Sequence, residues 1–165
     1  MHPCGWIFDG WWSELKLLLC TISRNNKKRL KSWYNQLDGL TDLLLQDHDI
    51  EISVYENDST DGTKEGLKTY VERLAKKCKT TLTSTDLGTD YLVGKEGARV
   101  TNIANARNAC IEQASSLSEV DKIVFIETDV LYKPRQALEI IHHEGNIVSG
   151  YTTNAMGQFY DAWAT

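Results

Sequence analysis

Two short runs of this chain carry oxygen donors in patterns that could do chemistry. The first is Glu56-Asn57-Asp58-Ser59-Thr60-Asp61-Gly62-Thr63, which leaves an apolar segment and leads into a helical pattern. A carboxylate at such a strand end can accept hydrogen bonds from a nucleobase N–H or a ribose hydroxyl, and Glu56 and Asp58 are the candidates. Ser59, Thr60 and Asp61 are all helix-capping types, so Asp61 and Thr63 are read as turn and cap. The second run is Glu127-Thr128-Asp129, after the apolar Lys122-Ile123-Val124-Phe125-Ile126. On extended backbone, carboxylates two residues apart project to one side, so Glu127 and Asp129 are expected to share one ligand. Hard oxygen donors suit Mg²⁺ or Mn²⁺, held by one or two carboxylates together with substrate phosphates. Such an ion stabilises the charge on a departing diphosphate. Cations for that diphosphate are Arg24, Arg99 and Arg107, the last followed by Asn108, because a guanidinium fork matches phosphate oxygens. Arg107 has a second reading, as a helix residue paired to an acidic strand end.

These groups need a scaffold that brings separate strand ends together. Residues 15–22 form a near-continuous apolar run, the pattern of a strand buried on both faces of a parallel sheet. It carries Thr21 near its end and Arg24 just beyond. A helix is expected from Lys27, with Leu30, Trp33, Leu37, Leu40 and Leu44 on its apolar stripe and Lys27, Lys28, Arg29 and Lys31 on a solvated face. Residues 50–55 read as a second strand, followed by a helix carrying Leu67, Tyr70, Val71, Leu74 and Cys78. A third strand is expected at 80–84, a long polar loop at 85–100, and a third helix at 102–115 with a small-residue stripe of Ala106, Cys110 and Ala114. A fourth strand at 122–126, a proline-opened helix at 134–142 and a fifth strand at 146–151 complete the pattern. The alternation predicts an α/β sandwich with a mostly parallel sheet, whose ligands bind outside the carboxyl ends of the strands.

The 165 residues suffice for one domain with its own core. A net charge of −5 and a pI near 5.4 argue against a broad nucleic-acid-binding face. The four cysteines make no metal-ligand spacing, and three are read as small core residues in a reducing compartment. No apolar run is long enough to cross a bilayer, so a cytoplasmic protein is expected. The crowded Trp6, Ile7, Phe8, Trp11 and Trp12 allow peripheral membrane contact but are read as packing on the domain. Glycine-rich dinucleotide, P-loop and nucleophile-elbow motifs are all missing, and His142-His143 is read as a helix end.

Taken in order, these segments resemble the nucleotide-diphosphosugar transferases of the glycosyltransferase A fold. More closely, Tyr55 to Thr63, Ile103 to Asn108, Phe125 to Val130 and Tyr160 to Ala164 are similar to segments of the cryptococcal capsule-associated α-1,3-mannosyltransferase family. The likeness spans roughly residues 17–165. It implies a glycosyltransferase A type, Rossmann-like three-layer sandwich, a nucleoside-diphosphate sugar as donor, Mn²⁺ or Mg²⁺, and transfer to an acceptor hydroxyl. By the same resemblance Glu56 contacts base or ribose, Arg107 the diphosphate and Asp129 the metal, with Glu127 assisting. Asp161 faces the acceptor or the reacting sugar, and Trp163 is offered as the floor of a sugar pocket. The resemblance departs at Glu127-Thr128-Asp129, where the family usually carries Asn-Asp. It also implies a further C-terminal region, so the expectation is a single domain over 1–165 that stops short of some acceptor contacts. Two other readings stay open: a non-catalytic nucleotide-sugar binding module, and a nucleotidyltransferase, which lacks here its glycine-rich basic loop.

Overall fold

The computed structural model of the chain describes residues 13–88, 96–114, 117–150, 153 and 156. Its core is a four-stranded, all-parallel sheet in the order β3-β2-β1-β4, built from β1 (Lys16–Ser23), β2 (Asp49–Asn57), β3 (Lys79–Thr85) and β4 (Lys122–Phe125). The crossovers are α1 (Lys27–Leu44), α2 (Thr63–Leu74) and α3 (Glu96–Glu112), and α4 (Pro134–His142) follows β4.

The apolar run of β1 alternates between two cores, as a two-faced strand must. Leu17 and Leu19 enter one cluster with Ile52 and Val54 of β2, Leu37 of α1 and Leu67 of α2. Leu18 and Cys20 enter the other, with Tyr55 of β2 and Ala106 and Cys110 of α3. Helices α1 and α2 therefore cover one face of the sheet, and α3 covers the other. This is the α/β sandwich the alternation predicts, in the three-layer, Rossmann-like form the resemblance implies. The aromatic side chains cement α1 to α2: Tyr34 stacks on Tyr70 with ring centroids 3.9 Å apart, and Trp33 meets Tyr70 at 5.4 Å. The helices approach closely because residue 66 is glycine. A Cβ there would lie 2.8 Å from Leu30 Cδ1.

The small-residue stripe on α3 lets its backbone come down onto β2, where Ser53 donates through its hydroxyl to the Cys110 carbonyl at 2.5 Å. Cys20 and Cys110 are buried and Cys78 is half-buried, all three as free thiols, in line with the core reading. Because the chain leaves β1 toward β2 and later returns from β3 to pair β4 on β1's other side, the direction of winding reverses at β1 and β4. The carboxyl ends of those strands form the crevice where open α/β sheets bind ligands.

Two expectations fail. Helix α3 begins at Glu96, so Arg99 belongs to its first turns and not to a loop. Arg99, Val100 and Thr101 are all exposed, so these three residues offer no buried apolar stripe from which to read a helix. The strand expected at 146–151 does not form over residues 146–150, where Ile147 is 95% exposed, and residue 151 lies outside the described residues. Cys4, the Trp6 to Trp12 segment, Asp161 and Trp163 also lie outside them. No described helix is long and apolar enough to cross a membrane.

Candidate functional site

A cleft of about 260 Å³ opens at this winding reversal. Its walls come from the segment after β1 (Ser23, Arg24, Asn26), the end of β2 (Asn57), the first half of α3 (Arg99, Asn102) and the turn after β4 (Glu127, Thr128, Asp129). The separate strand ends thus do converge. Arg24 and Arg99 set two positive charges against the two negative charges of Glu127 and Asp129. That balance suits a diphosphate bound with a divalent cation, which is itself near neutral.

The two acids do not stand on one extended strand, as their spacing implies. β4 ends at Phe125, and residues 128–129 form a turn, so the extended geometry that would align the two side chains is absent. Glu127 pairs with Arg107 of α3 at 2.5 Å, and Asp129 pairs with Arg29 of α1 at 3.5 Å. The two carboxylates thus answer to helices on opposite faces of the sheet. Among the described residues, no group of three or more acidic, imidazole or thiol side chains is placed to hold a metal ion. The donor chemistry still fits Mg²⁺ or Mn²⁺, which takes one or two carboxylates and completes its shell with substrate phosphates and water. Arg107 takes its second reading: besides Glu127, its guanidinium lies 5.4 Å from the Phe125 ring centre. Asn108 is exposed on α3 and is not part of the cleft wall.

The first acidic cluster is largely occupied by its own architecture. Glu56 is 0% exposed. One of its oxygens accepts the Ser59 N–H at 2.9 Å and the other accepts the Ser84 hydroxyl, so the carboxylate clasps its own turn to the end of β3. This corrects the expectation that Glu56 faces a nucleoside. An acid at the end of an apolar strand here serves the half-buried turn that follows it. Asp58 adopts a left-handed backbone (φ 55), which aspartate tolerates. Its Oδ1 accepts the N–H groups of Leu87 and Gly88 at 2.7 and 2.8 Å, anchoring the chain beyond β3. Thr21 is likewise internal, its hydroxyl donating to the Ile126 carbonyl at 2.8 Å.

Asp61 is a cap, as its type suggests, but for two helices at once. It accepts the Lys27 N–H at the start of α1 (3.1 Å) and the Thr63 N–H at the start of α2 (3.0 Å). Partial desolvation pushes its pKa up, yet the Thr63 hydroxyl and these backbone donors outweigh that and hold the carboxyl below its usual range. Asn26 then ties the loops to the cleft: its backbone N–H donates to Thr63 Oγ1 at 2.9 Å and its amide to Thr128 Oγ1 at 2.6 Å. Three strand ends are locked together through this one residue.

Ser23, Asn26, Asn57 and Thr128 are cleft residues that sequence reasoning did not select. The Ser23 residue is only 4% exposed, and its hydroxyl has no hydrogen-bond partner in the structure. A buried polar atom left unsatisfied in a cleft wall is where a ligand's hydrogen bond would fall. The Ser23-Arg24-Asn25-Asn26 run ending an apolar strand was the available signal.

Comparison with known proteins adds the identity of the family. The family described as cryptococcal mannosyltransferase 1 matches residues 16–165. The chain belongs to that family. Family membership makes it a glycosyltransferase, and the match covers every element of the sheet and all the walls of the cleft. Searches of curated proteins and of solved structures returned no match.

Proposed function

We propose that the chain is a mannosyltransferase of glycosyltransferase A type that takes the sugar of a nucleoside-diphosphate donor and passes it to an acceptor hydroxyl. The observation that carries this reading is the single cleft at the winding reversal, where Arg24, Arg99, Glu127 and Asp129 meet the unsatisfied Ser23 hydroxyl. Arg24 and Arg99 would bind and orient the diphosphate, and Ser23 would donate to one of its oxygens or to ribose. Glu127 and Asp129 would hold Mg²⁺ or Mn²⁺, which would supply charge neutralisation to the leaving diphosphate. Asn26, through Thr128, fixes the turn that carries both acids. The acceptor side is assigned to Asp161 only by resemblance.

A donor that binds the native state alone raises the melting temperature. Thermal-shift measurements with UDP-, GDP- and CMP-sugars, with and without Mn²⁺, should therefore single out one donor whose effect requires the ion. Turnover of that donor should stop in EDTA. A donor bound equally well without metal would overturn the role of Asp129. The arginine pairing of both acids is the observation that favours the second reading, a non-catalytic nucleotide-sugar binding module. That reading requires donor binding with no turnover on any acceptor hydroxyl.

A further inference from the structure

Helix α1 opens with Lys27-Lys28-Arg29, followed by Lys31, and has no acidic residue in its first turn. Cations there oppose the helix macrodipole, which favours negative charge at an N-terminus. The protein as a whole is acidic, with a net charge of −5, so this concentration of exposed positive charge is local. Its members part in direction. Arg29 turns to Asp129 on the cleft side, whereas Lys27 and Lys31 line a second, open groove of about 800 Å³ between α1 and α2.

The rest of that groove has an apolar side, from Leu30, Tyr34, Gly62 and Gly66, and a hydroxyl-bearing side, from Ser59, Thr60 and Thr69. The Tyr34 hydroxyl has no hydrogen-bond partner in the structure. The negative groups nearby are few and partly committed. Glu65 lies in the wall, and Asp61 beneath the loop already accepts from both helix starts. The groove and the cleft share the β1–α1 connection. Asn26 stands in the cleft wall, its neighbour Lys27 in the groove wall, and the Asn25 N–H reaches Ser59 Oγ at 3.0 Å. A chain lying in the groove would therefore arrive beside the reaction cleft.

We infer that the α1–α2 groove binds an acidic saccharide chain, the acceptor side of the transfer. The inference rests on the glycosyltransferase reading above. Lysine ammonium groups match sugar carboxylates by charge-assisted hydrogen bonds. Hydroxyl side chains match the remaining sugar hydroxyls, whereas the Glu65 carboxylate repels sugar carboxylates and limits the affinity. A neutral glycan would leave Lys27 and Lys31 balanced only by Glu65, with positive charge in excess.

The test uses the whole 165-residue chain and measures binding, not turnover. Calorimetric titration with trigalacturonic acid should show saturable binding that weakens as salt rises, while a neutral trisaccharide such as maltotriose binds far more weakly. The double variant Lys27→Gln/Lys31→Gln should lose about tenfold or more in affinity for trigalacturonate, two charge-assisted contacts being gone. Glu65→Gln should gain affinity, which guards against mere misfolding of the lysine variant. In both variants the thermal shift produced by the sugar-nucleotide donor should stay at its wild-type value, so failure here is separable from failure of the donor reading. Equal binding of the neutral trisaccharide, or an unchanged affinity in the lysine variant, would overturn the inference. So would binding of phosphatidylserine vesicles without binding of trigalacturonate, or displacement of trigalacturonate by inorganic diphosphate.

Discussion

Replacing Glu56 separates architecture from recognition. In the structure its carboxylate is fully buried and satisfies two donors, the Ser59 N–H and the Ser84 hydroxyl. Hydrogen bonds to a charged group contribute about 1.5–3 kcal/mol each, and part of that is offset by the cost of burying the charge. Glu56→Ala removes both bonds, leaves the half-buried Ser59 N–H without its acceptor and opens a void, for a net loss of about 3 kcal/mol. For a chain of this size each kcal/mol moves the melting temperature by about 2–4 °C. The alanine variant should therefore melt roughly 6–12 °C below wild type in a circular-dichroism scan. Glu56→Gln retains most of this, since the amide oxygen can accept from Ser59 and the amide nitrogen can donate to the Ser84 oxygen, and its loss should be about 1 kcal/mol. A recognition carboxylate would behave in the opposite way. If the alanine variant melts with wild type but no longer responds to the donor, the structural reasoning is refuted and Glu56 returns to the nucleoside.

The other predictions concern the cleft and one histidine pair. Ser23→Ala removes a hydroxyl without a partner, so stability should stay within about 0.5 kcal/mol of wild type, while donor affinity falls about fivefold, one hydrogen bond being lost. Preserved affinity would take Ser23 out of the site. Arg29→Gln removes an exposed 3.5 Å pair with Asp129, of a kind worth 0–1 kcal/mol at about ambient salt. Mn²⁺ affinity, read by electron paramagnetic resonance with inorganic diphosphate present, should rise by at most about fivefold, and no rise would argue that Asp129 is not a ligand. His48 and His142 meet through their Nε2 atoms at 2.7 Å, and the Leu15 N–H donates to His48 Nδ1 at 3.3 Å. His48 must then carry its proton on Nε2, so His142 accepts there and is held neutral. Burial, helped by His48 and Lys122, lowers the His142 pKa from its ordinary 6.5. The unfolded chain takes up the proton first, so this contribution is complete above about pH 6.5 and is lost as the pH falls below it. Melting temperatures should drop between about pH 7 and pH 5.5, and His142→Leu should flatten that drop. An equal slope in the variant would place the acid sensitivity elsewhere.

How much of this was legible depended on where each residue's partners come from. The run from Leu17 to Cys20 declares a two-faced strand by itself, because burial on both faces demands apolar residues at every position, and β1 lies where the run does. The stripes of α1 and of α2 from Leu67 to Leu74 are local periodicities and are equally readable. Arg99 to Thr101 of α3 bury no such stripe, and the helix start was mistaken for loop. Residue type and position singled out Arg24, Arg99, Glu127 and Asp129, which all line the cleft, but type does not reveal which carboxylates have oxygens to spare. That depends on donors supplied from far along the chain. Asp58 is engaged by N–H groups 29 and 30 residues away, Asp61 by one 34 residues away, and Glu56 by a serine 28 residues away. Acids in the β2–α2 turn sit between two helix starts and a neighbouring strand end, where unpaired backbone N–H groups are dense, and they are consumed there. The turn after β4 meets arginine side chains instead, and an exposed arginine is far easier to displace than a backbone amide. Of the two acidic runs, the one answered by arginine side chains is therefore the one we propose for the cation.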